Sequence, residues 1–183
     1  CHFTHNQSVD PSPRLGILLD EQTVIDPQVC FAVDYEREGF YNAFERAKYK
    51  MPASLYRLLK LSDEPIEKLQ EAYGLYLFLK MVGDTHLRAG TPITYKIGNE
   101  VRLNKPLDRI EVYRDFYAHE KHVKKGFEKR GEPVPEAWYE MPVYYKGATS
   151  GFIGPNEEIL WPNYTNKLDY ELELAAVIGR DGK

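Results

Sequence analysis

Two cysteines, Cys1 and Cys30, are all that the 183 residues contain. That is too few for a disulfide framework, so a reducing cytoplasm is the expected compartment. Excess positive charge is lacking as well: 24 Lys and Arg stand against 28 Asp and Glu, for a net charge of −4. This balance gives no general attraction to nucleic acid or to an anionic membrane, and neither is expected as a partner. No apolar run reaches bilayer length; the longest, Tyr73 to Val82, carries Lys80. No charged-then-apolar stretch of the signal-peptide kind opens the sequence, and it contains no internal repeat or low-complexity tract. What is present is a globular composition, 43% hydrophobic and 28% charged, of a size that suits one domain or one small domain plus part of another. The chain opens at Cys1 without an initiator Met and closes at Lys183, just after Arg180-Asp181-Gly182, a hairpin signal with no second strand behind it. The C-terminal boundary therefore reads as an interruption.

Local pattern predicts an α+β chain. Arg14–Leu19 and Thr23–Ile25 flank Asp20-Glu21-Gln22 as a β-hairpin. Irregular helix is expected over Cys30–Lys50 and a short helix over Pro52–Leu59. Ser62 or Asp63 is placed to cap a longer helix with Pro65 in its first turn. That helix carries Ile66, Leu69, Ala72, Tyr73, Tyr76 and Leu77 at spacings of three and four, a stripe for burial. Thr91–Ile97 and Val101–Leu103 read as a second hairpin around Gly98-Asn99-Glu100. A boundary near Lys105-Pro106 gives a small N-terminal α+β domain over residues 1–108 and a second domain over 109–183.

Chemistry concentrates in the second part. Residues 114–130 read as a helix with Asp115 at its start and Phe116, Val123 and Phe127 as an apolar stripe. On that helix Asp115, His119 and His122 would share a face. Asp115 is then either a cap or a ligand, and the histidines either solvated or functional. The run Asp169-Tyr-Glu-Leu-Glu-Leu174 alternates strictly, so a strand would set Asp169, Glu171 and Glu173 on one face and Tyr170, Leu172 and Leu174 on the other. The acidic face is either a solvated surface or a pair of carboxylates gripping a hard cation such as Mg²⁺, Mn²⁺ or Ca²⁺.

Arg-Asp-Phe-Tyr at 114–117 with His122, Met-Pro-Val-Tyr-Tyr-Lys-Gly at 141–147, Gly-Pro at 154–155 and Asp-Tyr-Glu-Leu-Glu-Leu-Ala-Ala-Val-Ile-Gly at 169–179 together carry a resemblance. In order and spacing, over more than a third of the chain, they resemble the start of the catalytic domain in the fumarylacetoacetate hydrolase family. The resemblance implies a mixed β-sheet or β-roll catalytic domain, here truncated, behind a variable N-terminal domain. It implies metal-binding carboxylates at Asp115, Glu171 and Glu173, a general base at His122, and substrate-lining positions at Tyr117 and Tyr145. His119 lies outside the family's pattern, and Arg130 is one position out of register with a substrate-binding arginine of some members.

The implied cofactor is one divalent cation, Mg²⁺ first, with Mn²⁺ or Ca²⁺ as alternatives. The implied partners are a small oxo-carboxylic acid substrate and a second copy of the chain in a homodimer. The implied reaction is hydrolytic cleavage of a C–C bond in an acylpyruvate or fumarylacetoacetate-like 1,3-diketo acid. The adjacent oxygens of such a substrate can chelate a cation that polarises the carbonyl. Decarboxylation, hydration or isomerisation of an oxo acid, or a non-catalytic binding role, are the alternatives on the same fold. The family's fourth metal carboxylate, its substrate lysine and the glutamate that orients the histidine would fall beyond Lys183, so these residues alone are expected to be inactive.

Overall fold

A computed structural model describes residues 1–7 and 12–179 of the chain. The Arg180-Asp181-Gly182 turn signal lies outside the described residues. The chain divides into two compact units, one formed by Cys1–Arg109 with Ile153–Lys183 and the other by Ile110–Phe152.

The larger unit is α+β. Strands β1 (His2–His5), β2 (Arg14–Leu15), β3 (Ile17–Asp20) and β4 (Thr23–Ile25) lead into helices α1 (Pro27–Arg37), α2 (Ala43–Lys50), α3 (Leu55–Leu61) and α4 (Pro65–Val82). Strands β5 (Thr94–Lys96) and β6 (Val101–Asn104) follow. The expected hairpin between β3 and β4 forms, pairing Ile17 with Ile25 and Leu18 with Val24. The second expected hairpin does not. β5 joins β4, while β6 runs antiparallel to β1, pairing His2 with Asn104 and His5 with Val101. The Gly98-Asn99-Glu100 turn is tight, with the Gly98 N–H donating to Val101 O at 2.8 Å, but it separates two sheets instead of closing a ladder. The reason lies at the other end of the sequence: β1, whose strand character the sequence reading missed, supplies β6 with a longer ladder.

Side-chain caps start α1 and α3, whereas α4 begins behind Glu64, which makes no side-chain capping bond, and not behind the expected Ser62 or Asp63 cap. Asp26 caps α1 by accepting from the N–H groups of Gln28 at 3.0 Å and Val29 at 3.1 Å, ahead of Pro27 in the first turn. Asp26 is buried, and its charge is met by Arg14 Nε at 2.6 Å. Arg14 also donates to Gln28 Oε1 at 3.1 Å, and Gln28 Nε2 donates to Met51 O at 2.6 Å, which ties β2, α1 and the end of α2 together. On α4 the expected stripe is half right. Ala72 and Tyr76 are buried and Leu69 packs on the core, but Ile66, Tyr73 and Leu77 are exposed. Leu79, which the stripe omitted, is wholly buried. α4 carries apolar side chains on both faces, so spacing alone could not choose the inner one.

The core joins Ile25, Val29, Cys30, Met51, Leu58, Leu79 and Ile93, and a smaller cluster joins Phe3, Val24, Tyr95 and Val101. Gly154, in the Gly-Pro pair, is buried against the end of β6, and a Cβ there would stand 2.9 Å from Asn104 Cα. Close backbone approach therefore excludes a side chain at this position.

Residues 169–179 of this unit have no regular secondary structure, and the expected strand is absent. The alternation is there, but a strand needs a hydrogen-bonded neighbour, and no described segment pairs with it. Leu172 and Leu174 are fully exposed as a result, at 94% and 102%.

The smaller unit holds β7 (Asp115–Phe116), α5 (Glu120–Arg130), α6 (Ala137–Glu140) and β8 (Tyr144–Tyr145). β7 and β8 form a short antiparallel ribbon. The helix expected from 114 starts later, at Glu120, so Asp115 stands on a strand and caps nothing. Gly131 ends α5 in the left-handed conformation, φ 72°, with its N–H donating to Glu128 O. Val123 is buried as its place in the expected stripe requires, while Phe116 is 53% exposed. Among the described residues, no helix is long and apolar enough to cross a membrane.

Candidate functional site

The ribbon sets the geometry of the smaller unit. Asp115 pairs directly with Tyr145, and Phe116 with Tyr144. Directly opposed side chains share a face, as do residues two apart on a strand, so Asp115, Tyr145 and Tyr117 belong to one side of the ribbon. The ladder extends past its formal end, because the Tyr117 N–H donates to Val143 O at 3.0 Å. On the other face, the rings of Phe116 and Tyr144 meet at 5.3 Å and the Arg114 guanidinium lies 5.0 Å over Tyr144.

Tyr117 links the ribbon to the helix. Its carbonyl accepts from Trp138 Nε1 at 2.9 Å, and its ring meets the His122 imidazole edge-on, with centroids 5.7 Å apart at 88°. Trp138 in turn packs edge-on against Tyr139, whose hydroxyl donates to Glu120 Oε1 at 3.1 Å. Glu120, also paired with Lys124 at 2.7 Å, has its carboxyl held below the usual range by Lys124 first and Tyr139 second. His119 sits at the N-cap of α5, where its side chain makes no capping bond and its carbonyl accepts from the His122 N–H at 2.9 Å. Tyr113 packs over Gly147, where a Cβ would lie 2.0 Å from its ring, and meets Phe152 edge-on at 5.1 Å.

Four of the six expected site residues, Asp115, Tyr117, His122 and Tyr145, thus fall in one unit on or beside one ribbon. Glu171 and Glu173 belong to the other unit and are exposed. The route by which Asp115 and His122 were grouped, one continuous helix, does not hold; a strand and a helix start carry them instead. Trp138 escaped the sequence reading, and its only signal was an indole donor that needs an acceptor when partly buried.

As cation ligands, Asp115, Glu171 and Glu173 have the right donor chemistry, oxygen anions for a hard ion. No described residue forms an ion pair with any of the three. Among the described residues, however, no group of three or more His, Cys, Asp or Glu side chains is gathered closely enough to hold a metal.

Two other features of the larger unit invite a functional reading and do not sustain one. An open depression of about 440 Å³ is lined by Thr23, Tyr76, Lys80, Tyr95 and Lys96 among others, but Asp20 and Glu100 cancel its two lysines and none of the expected site residues reaches it. Ser54, His2 and Asp108 gather a hydroxyl, an imidazole and a carboxylate, yet the Ser54 hydroxyl donates to Asp108 Oδ2 at 2.5 Å. His2 Nε2 accepts from the Leu55 N–H at 3.1 Å, so the imidazole is not directed at the hydroxyl as a base. This cluster caps α3, through Ser54 Oγ accepting from the Arg57 N–H, and anchors β1.

Residues 111–183 match the protein family described as fumarylacetoacetate (FAA) hydrolase, C-terminal. The chain belongs to the fumarylacetoacetate hydrolase family, a family that includes enzymes of more than one activity. Among curated relatives it is 30% identical over 144 residues to a fumarylacetoacetase of Oryza sativa subsp. japonica, covering 69% of this chain and 29% of that protein. It is 37% identical over 51 residues to the human oxaloacetate tautomerase FAHD2B, mitochondrial, covering 28% of this chain and 15% of that protein. A fumarylacetoacetase of Arabidopsis thaliana is 31% identical over 87 residues, with 21% of its length covered. The chain therefore spans less than a third of the length of these relatives.

Proposed function

We propose that this chain is part of a divalent-metal-dependent hydrolase that cleaves a C–C bond in an acylpyruvate or fumarylacetoacetate-like 1,3-diketo acid. The observation that carries the reading is the placement of His122 against Tyr117, beside the ribbon face that bears Asp115 and Tyr145, inside the family-matching segment. In this reading residues 109–183 are the first part of the catalytic domain and residues 1–108 a separate small domain. His122 removes a proton from the water that attacks the substrate carbonyl. Tyr117 and Tyr145 line the substrate. Asp115, Glu171 and Glu173 hold the cation, Mg²⁺ ahead of Mn²⁺ or Ca²⁺, and the cation when bound polarises the substrate's adjacent oxygens. A homodimer in the cytoplasm completes the reading, and the two free thiols, Cys1 and Cys30, suit a reducing compartment.

The match to a relative named as an oxaloacetate tautomerase favours a second reading on the same residues, isomerisation of a 2-oxo acid. Proton transfer at carbon then replaces attack by water, and His122 remains the proton carrier. The natural protein carrying this sequence would be assayed with an acylpyruvate and with oxaloacetate in parallel. Loss of the acylpyruvate with release of two carboxylic acids supports hydrolysis. Keto–enol exchange of oxaloacetate without cleavage of the acylpyruvate replaces it with the second reading.

A further inference from the structure

We propose that Tyr117 is a positioning residue for His122, and that Gly126 is a gap built into α5 to seat the Tyr117 hydroxyl. The inference rests on the reading of His122 as the proton carrier. α5 runs Glu-Lys-His-Val-Lys-Lys-Gly-Phe-Glu-Lys-Arg, so Gly126 is the weakest helix former in an interior of otherwise adequate ones. Backbone conformation does not call for it. Gly131, at the end of the helix, has positive φ, but Gly126 is absent from the positive-φ glycines and has helical geometry that alanine adopts with less loss of entropy. What a side chain at 126 would meet is Tyr117: a Cβ there stands 3.0 Å from the phenol oxygen, tighter than ordinary van der Waals contact.

His122 and Gly126 are four residues apart on α5 and therefore neighbours on one face. The Tyr117 ring spans them, meeting the imidazole edge-on at one end and resting its hydroxyl over the glycine at the other. The backbone that carries the ring is held in place. The Tyr117 N–H is held by Val143 O at 3.0 Å and its carbonyl by Trp138 Nε1 at 2.9 Å, so the backbone is fixed on both sides of the side chain. His122 itself is exposed, and an exposed imidazole samples several rotamers. The phenol ring walls off one side of it. A methyl at 126 would push the ring by a few tenths of an ångström and carry the imidazole with it.

The test uses Gly126→Ala, a change that improves helix propensity and leaves the fold intact. In the natural protein carrying this sequence, with an acylpyruvate as substrate, Gly126→Ala should lower kcat roughly 10-fold with KM little changed, as for a small misplacement of a catalytic group. Its melting temperature should be unchanged or raised. The same substitution made in a Tyr117→Phe background, where the hydroxyl is gone, should change kcat by no more than about twofold, the ordinary limit of additivity. In the natural protein carrying this sequence, NMR should show contacts between the ring protons of Tyr117 and His122, and Gly126→Ala should shift the His122 ring signals. Full activity of Gly126→Ala, an equal loss in the Phe background, or absence of the Tyr117–His122 contact overturns the inference. His122→Ala is assayed alongside: if it retains activity, the reading on which the inference rests falls first, and the inference with it.

Discussion

The two units reach order by different means. In the larger one, Phe3, Ile25, Met51, Leu58 and Leu79 are each at most 1% exposed, and hydrogen-bonded charges such as Asp26 are sealed beneath them. In the smaller one, among the described residues, Val123 is the buried hydrophobic side chain, and most of the remaining contacts are edge-on aromatic pairs and single hydrogen bonds at or near the surface. A core holds its elements by excluding water; a ribbon pinned by rings and a tryptophan holds them by direction. The second arrangement leaves polar side chains such as Asp115 and His122 accessible, which is what a binding or catalytic surface requires and what a core forbids.

Truncation should separate the two regimes. Leu79→Ala empties a fully buried site in the larger unit and should lower stability by about 2–5 kcal/mol in denaturant titration. Phe116→Ala removes a half-exposed ring tilted against Tyr144 and should lower it by about 0.5–1.5 kcal/mol. Equal effects would erase the distinction drawn between the units.

A smaller and conditional effect belongs to the larger unit. Burial lowers the His2 pKa from its ordinary 6.5, opposed in part by the Asp108 carboxylate and the Pro106 carbonyl. At Asp108 burial works upward from 3.8, but hydrogen bonds from Ser54 and the Tyr56 N–H, with His2 nearby, outweigh it and the net shift is downward. Folding thus favours neutral His2 and ionised Asp108. The His2 contribution is complete above about pH 6.5 and is lost as pH falls below it; the Asp108 contribution is lost only below about pH 3.8. His2→Gln, which keeps a donor and an acceptor but cannot titrate, should flatten the loss of stability between pH 7 and about pH 5 seen in melting curves. A wild-type chain whose stability is unchanged over that interval would contradict the assignment.

Legibility in the sequence followed the same division. The β3–β4 hairpin was readable because Asp20-Glu21-Gln22 separates two apolar runs, and α4 because Pro65 and the apolar spacing mark it. The β1–β6 pairing was not readable, because it joins residues about a hundred positions apart and no local signal encodes a distant ladder. At the site, residue identity was legible and geometry was not. Asp115 and His122 were singled out, yet through a helix that begins five residues after Asp115, at Glu120. The residues beside Asp115, Val112, Tyr113, Phe116 and Tyr117, favour strand, and the competing preference was a cross-strand partner, Tyr145, thirty residues away. The acidic alternation at 169–174 was legible as a pattern, but a pattern becomes a strand only where another strand receives it.

The account turns on which histidine of α5 carries the chemistry. His119 and His122 are three residues apart at the helix start; His122 meets Tyr117, while the His119 side chain makes no capping bond. The decisive measurement is steady-state kinetics of His122→Ala and His119→Ala in the natural protein carrying this sequence, with an acylpyruvate as substrate and Mg²⁺ affinity measured by calorimetry in parallel. The account predicts a fall in kcat of roughly 10²–10⁴ for His122→Ala with cation binding nearly intact, and little change for His119→Ala. A large loss on His119→Ala with none on His122→Ala would contradict it.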